Sequence, residues 1–142
     1  VAFSDRFLAA PDEHPRDFRL QQQLLVSADA EDTSDAATVV PAAMAVLDLP
    51  RRLLAAAVDA GALAPHRPVA DPIGQVLEGA LVRTLSWVVA MNGALLVDRL
   101  TTGVPITGAG LGAEITDSLL RGWGADPADL AAARTVAAAW AR

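Results

Sequence analysis

The chain of 142 residues is 53% hydrophobic and 20% charged, and 11 basic against 17 acidic side chains leave a net charge of −6. That balance describes one acidic, ordered domain, long enough to bury roughly two thirds of its unfolded surface without metal or disulfide staples. Cysteine is absent, which excludes disulfides, Cys-type zinc sites, iron–sulfur clusters and thiol nucleophiles, and a sequence pI of about 4.7 argues against a nucleic-acid surface within these residues.

Every basic residue is an arginine and alanine makes up roughly a fifth of the chain, the bias of a GC-rich coding sequence. The chain opens on Val1 rather than Met, which predicts that residues precede it in the native protein. VAFSDRF lacks the basic start and apolar run of a signal peptide. The most membrane-like stretch, Thr84–Val97, is shorter than the about 20 residues a span needs and reads as a buried core helix. The expectation is a soluble, cytoplasmic protein with no membrane partner.

Helix signals dominate. A short helical segment from Ala2 to Ala10 is expected to end at Pro11, followed by a turn over PDEHPRD in which Pro15 starts a helix to about Ser27. Phe18, Leu24 and Leu25 form its apolar side, and the acidic run ADAEDTSDA reads as a connection. Helical pattern resumes at Ala36 and carries to Ala60, with Pro41 and Pro50 inside it, Asp48 placed to re-cap at the second proline, and Gly61 as the stop. After the loop GALAPHRPVA, Asp71 and Pro72 open a helix with no breaker before Leu100. TTGVPITGAGLG is a connector, Ala109 to Arg121 a helix ended by Gly122 and Gly124, and Asp126, Pro127 and Asp129 start a last helix to Trp140. No strand-length alternation and no internal repeat is visible, so the fold is expected to be all-α, a bundle of about six helices.

Projected at 100° per residue, the Pro72–Leu100 segment has two apolar faces. The wide one carries Ile73, Val76, Leu77, Ala80, Leu81, Thr84, Trp87, Val88, Met91, Ala94 and Leu95, side chains suited to a core or a cavity wall. The other carries Gly79, Val82, Ser86, Val89, Gly93 and Leu96, small residues in steps of three and four that let a second backbone come close. Two neighbours fit that seam: the Ala109–Arg121 helix of the same chain, or the same helix of a second copy across a two-fold axis. Thr84, Asn92 and Asp98 beside Trp87 and Met91 match the few polar groups among large apolar ones that a small-molecule cavity requires. The competing reading bonds Thr84 to its own helix, puts Asn92 and Asp98 at a wet end, and makes Trp87 core.

Other patterns are weaker. Gly108, Gly110 and Ala113 fit G-x-G-x-x-A, but no strand precedes them and no acidic residue follows as in a dinucleotide fold. His14 and His66 are the only histidines and sit in separate loops, a poor metal pair. Ser86 lacks a G-x-S-x-G elbow and a nearby base. Asp48 with Arg52 and Asp117 with Arg121 are helix-turn ion pairs. The expectation is a protein without catalytic residues, metal or cofactor.

The order of elements resembles the C-terminal effector-binding domain of TetR-family transcriptional regulators. The likeness rests on HPRDFRL at His14–Leu20, RRLLAAAVDAGAL at Arg51–Leu63, SWVVAMNGALLVDRL at Ser86–Leu100 and LLRGWGADPADL at Leu119–Leu130, in that order and spacing. The resemblance implies a homodimer in which two late helices per subunit form a four-helix bundle, with a ligand cavity inside each subunit. It implies a repressor whose N-terminal helix-turn-helix, about fifty residues, binds operator DNA until a small hydrophobic effector enters. No basic helix-turn-helix lies within these residues, so residues 1–142 are expected to bind effector and dimerise, and to reach DNA only through such a domain. Carried over by position, the pocket residues are Phe18, Gln22, Leu25, Met44, Leu47, Thr84, Trp87, Met91 and Asn92. The dimer residues are Gly79, Val82, Ser86, Val89, Gly93 and Leu96, with Ile115 and Leu119 on the next helix. The alternative from another class is a standalone helical interaction or scaffold domain that takes no ligand.

Overall fold

The computed structural model describes residues 1–19, 47–66, 79–100 and 105–140, and every regular element among them is helical. These are α1 (Ala2–Glu13), α2 (residues 15–19), α3 (residues 47–59), α4 (Gly79–Leu100), α5 (Gly108–Gly122) and α6 (Pro127–Trp140). The expected acidic connection, the start of the helical pattern from Ala36 through Pro41 and the Asp71–Pro72 helix start lie outside the described residues, as do Ile73, Val76 and Leu77.

Local chemistry sets most boundaries. α3 and α5 both stop on a glycine with positive φ, Gly61 at 73° and Gly124 at 95°. In each case the glycine and the residue after it return their N–H groups to the last turn: Gly61 to Val58 and Ala62 to Ala57, Gly124 to Arg121 and Ala125 to Leu120, all at 2.9 Å. That pairing satisfies helix-end carbonyls, and the left-handed backbone it needs favours glycine. Asp126 Oδ1 accepts from the Ala128 N–H at 2.7 Å, which caps α6 as its sequence predicts.

Three expectations are corrected. α1 runs through Pro11 and breaks at His14 (φ −134°, ψ 61°). Proline deletes one helical N–H, but its own φ is helical, and the His14 N–H still reaches Ala10 O at 2.8 Å. The break falls where His14 precedes Pro15 and is pushed out of the helical region. α5 begins at Gly108, within a residue of its expected start, so the connector read over TTGVPITGAGLG is shorter than expected, because Thr107 Oγ1 accepts from the Gly110 N–H at 3.0 Å and caps the helix. Gly108, Gly110 and Ala113 are therefore helical residues, not a strand-to-helix turn. Finally, Asp117 pairs with Arg134 of α6 at 2.8 Å rather than with Arg121, and Arg134 also donates to Ala113 O. The carboxylate holds the Arg134 guanidinium above its ordinary value and so ties α6 to α5. The Asp48–Arg52 pair forms as expected, at 2.9 Å.

The core gathers Leu8, Phe18, Trp87, Met91, Ala94 and Leu95, with Phe3, Phe7, Leu111, Ile115, Leu119 and Trp123 packed around it. α4 lies at its centre against α5 and α1, and α6 docks on α1. Phe3 and Phe7 meet the Trp87 ring at 5.1 and 5.3 Å, tilted and edge-on. Gly112 is where α1 presses hardest on α5, since a Cβ there would stand 2.6 Å from both Leu8 methyl carbons. Gly112→Ala is therefore expected to cost about 1–3 kcal/mol by overpacking, although the same change at an open helix position is favourable. Urea denaturation of G112A reads this directly, and an unchanged midpoint would mean that α1 and α5 are not so close.

Between Gly79 and Val97, α4 is long and apolar enough by length and composition to cross a membrane, with a mean hydropathy of 1.6. This corrects the expectation of a stretch ended by Arg83 and too short to span, since the apolar helix continues through Arg83 to Gly79. Its wide face behaves as a core helix does: Ala80, Thr84, Trp87, Met91, Ala94 and Leu95 are all buried by the same chain.

Candidate functional site

Where α1, α3, α4, α5 and α6 approach one another they leave a cavity of about 240 Å³. Phe3 and Ser4 come from α1, Pro50, Leu53, Leu54 and Ala57 from α3, Trp87 from α4, Thr116 and Leu120 from α5, and Leu130 and Ala133 from α6, with Leu63 beyond the α3 stop. The wall is mostly hydrocarbon and aromatic. Leu53, exposed to 47%, and the exposed Asp129 mark its mouth.

Two buried hydroxyls reach this wall. Ser4 Oγ accepts from Trp87 Nε1–H at 2.9 Å, which leaves its own proton to donate. Thr116 Oγ1 makes a long contact of 3.6 Å to Met91 Sδ, which leaves oxygen lone pairs to accept. An apolar wall with one donor and one acceptor is the chemistry of a site that gains affinity from burial and orientation from one or two hydrogen bonds. Neither His14 nor His66 lines the cavity, so no imidazole meets these hydroxyls there.

Of the sequence-derived pocket residues, Trp87 lines this cavity. Thr84 and Met91 are fully buried in the core instead. Thr84 donates to Ala80 O at 2.8 Å and half-buried Asn92 to Val88 O at 2.9 Å, so both polar groups turn back to their own helix. Phe18 packs in the core, and Leu47 is half-buried at the described start of α3, away from the cavity lining. Gln22, Leu25 and Met44, and the side chain of Asp98, lie outside the described residues. The reason is geometric: α1 and α5 close over the wide face of α4, so its residues become core and only Trp87 reaches the space left at the edge. The residues missed by sequence reasoning are those of α1, α3, α5 and α6. Leu53, Leu54 and Ala57 fall within the RRLLAAAVDAGAL stretch but were not singled out in it, and Ser4 and Thr116 carried no signal.

The narrow face of α4 behaves differently. Ser86, Val89, Gly93 and Leu96 are exposed, Val89 to 71% and Leu96 to 44%, with half-buried Val82 beside them. Ser86 Oγ donates to Val82 O at 2.9 Å, so the hydroxyl adds little polarity to the stripe. Gly79 does not belong to it: a Cβ there would stand 2.6 Å from His66 Cβ, so the loop after α3 already covers that end. Ile115 and Leu119, expected at a dimer interface, pack half-buried on the core of their own chain. This also removes the intrachain explanation of the seam, because α5 covers the wide face of α4 instead.

Among the described residues, the fold and site define an all-α architecture with an apolar cavity open at Leu53 and Asp129 and an exposed apolar helix stripe through Val89 and Leu96. No protein-family model, no curated protein and no solved structure matches the chain.

Proposed function

We propose that this chain is the ligand-sensing and dimerisation domain of a TetR-like transcriptional regulator, a cytoplasmic repressor that releases operator DNA when a small hydrophobic effector enters. The observation that carries the reading is the cavity of about 240 Å³ walled by five helices around Trp87. An apolar cavity of about 150 Å³ lodges benzene, so this one suits a ligand nearer naphthalene in size, with at most one or two polar atoms for Ser4 and Thr116. The uncovered stripe through Val89 and Gly93 supports the dimer half of the reading, because exposed apolar helix faces seek a partner. Operator DNA is then reached through a helix-turn-helix domain outside these residues, and the effector acts by its different affinity for the DNA-bound and free states.

The test is titration with naphthalene and 2-naphthol, followed by tryptophan fluorescence and thermal unfolding. Binding at a hundred times the dissociation constant is expected to add about 2.7 kcal/mol to stability, and 2-naphthol is expected to bind more tightly than naphthalene by way of its hydroxyl. Ala57→Leu, which fills the cavity from α3, is expected to abolish both responses while the helical circular dichroism is kept. Silence from the wild-type chain against both compounds and a wider apolar panel would favour the scaffold reading.

A further inference from the structure

A second groove, of about 330 Å³, shares no lining residue with the cavity and forms where the loop after α3, the Gly79 end of α4 and the α5–α6 turn meet. Among the described residues its ionisable lining is Arg83, Arg121 and His66, with no carboxylate, in a chain where acidic residues outnumber basic ones by 17 to 11. Among the described residues Arg83 is held by neutral groups. It donates to Ala64 O at 3.0 Å and Pro65 O at 3.3 Å, and its guanidinium carbon stands 5.6 Å from the centroid of the Trp123 ring. Burial pulls this guanidinium below its ordinary value. Arg121 stands exposed in the last turn of α5, and its helix-turn partner Asp117 is taken by Arg134. Neither Arg83 nor Arg121 has an ion pair among the described residues.

The groove is also preformed. The Ala64 N–H donates to Trp123 O at 2.8 Å and clamps the loop to the α5–α6 turn. Gly124 (φ +95°) permits that approach, since a Cβ there would stand 2.8 Å from Ala64 Cβ and 3.1 Å from Ala64 N. Gly79 lets His66 come equally close from the other side.

We propose that this groove binds a small oxyanion, a carboxylate or phosphate group on a small molecule, between Arg83 and Arg121 with Trp123 as the apolar wall. The planar guanidinium fork suits both groups. The Arg83 N–H groups not given to the loop, and all those of Arg121, supply donors, and an anion there relieves two positive charges that share one groove. This site is independent of the apolar cavity and does not rest on the regulator reading.

The test is calorimetric titration of the 142-residue chain with sodium phosphate and, separately, with sodium benzoate, at ionic strength held constant with sodium chloride. Saturable one-to-one binding of at least one anion is expected, and which of them binds separates a phosphate from a carboxylate ligand. Arg121→Gln is expected to weaken binding about tenfold or more with unchanged unfolding temperature, since its side chain is exposed and has no bond among the described residues. Arg52→Gln, a surface arginine elsewhere, is expected to bind as the wild type does. Arg83→Gln is expected to lose binding as well, but it also unties the loop, so Arg121→Gln decides. No saturable heat with either anion, heat that chloride suppresses equally, or wild-type affinity in Arg121→Gln overturns the proposal.

Discussion

Trp87→Ala is expected to lower the unfolding free energy by about 3–5 kcal/mol, the range for deleting a buried aromatic side chain. The ring is 6% exposed and packs on Phe3 and Phe7, so its removal strands two further aromatics of α1. It also merges a new void with the existing cavity of about 240 Å³, and a site already short of atoms cannot collapse to fill it. The loss continues at Ser4, 3% exposed, whose hydroxyl oxygen would forfeit the Nε1–H donor that satisfies it; an orphaned buried polar group costs about 1–3 kcal/mol. Against a total of about 5–15 kcal/mol for a domain of this size, this is a large fraction. Trp87→Phe separates the terms, because it keeps a ring and drops the N–H. Its expected cost of about 1–3 kcal/mol, subtracted from that of the alanine variant, leaves the cavity term. Urea denaturation followed by circular dichroism measures both. A loss under about 1 kcal/mol for Trp87→Ala would mean that the tryptophan is not the keystone between α1 and α4. Effector affinity in that variant is to be read well below its lowered melting temperature, so that lost binding is not confused with lost fold.

Gly93→Leu is expected to abolish dimerisation while leaving the protomer folded. Beyond its own helical turn no atom lies within 4 Å of where a side chain at 93 would begin, so leucine has room within the chain. Exchange of a helix-interior glycine for leucine also favours the helix, by up to about 1 kcal/mol. Any penalty is therefore intermolecular. In the proposed dimer, two α4 helices packed through Val82, Ser86, Val89 and Gly93 approach closely because those side chains are small. A leucine from each protomer costs about 1–3 kcal/mol by overpacking, and two-fold symmetry doubles it. The expected result is a dimer at least about thirtyfold weaker, seen as a shift to monomer in sedimentation equilibrium, with a melting temperature in dilute solution equal to or above that of the wild type. A dimer of unchanged affinity places the interface on another face. A wild-type chain that is monomeric at tens of micromolar removes the dimer from the proposed function altogether.

How far the site was legible follows from particular residues. The spacing of Ala80, Thr84, Trp87, Met91 and Leu95 marks one side of α4 as buried, and all five are. The same spacing does not say whether that side faces a ligand or another helix. Thr84 bonds back to its own helix as the competing reading had it, and half-buried Asn92 does the same instead of lying at a wet end, because a carbonyl four residues back is always within reach of a helical hydroxyl or amide. The Trp87 to Ser4 bond joins residues 83 positions apart, and no local pattern foretells it. Asp117 had two arginines within reach, and the packing of α6 on α5 gave it Arg134; that choice is also what leaves Arg121 facing the second groove.

By itself the sequence determined the all-helical character, the stops at Gly61 and Gly124, the Asp126 cap and the buried side of α4. Each follows from interactions within about one helical turn, where a side-chain oxygen, a missing Cβ or a repeat of 3.6 residues suffices. Tertiary structure alone decided which helix covers which face, and with it the cavity beside Trp87, the bare stripe through Val89 and Gly93, and the groove between Arg83 and Arg121. A cavity or groove is the volume left over when separate helices have taken their mutual positions. Those positions come from the summed packing of residues distant in the chain, so no single stretch of sequence holds them.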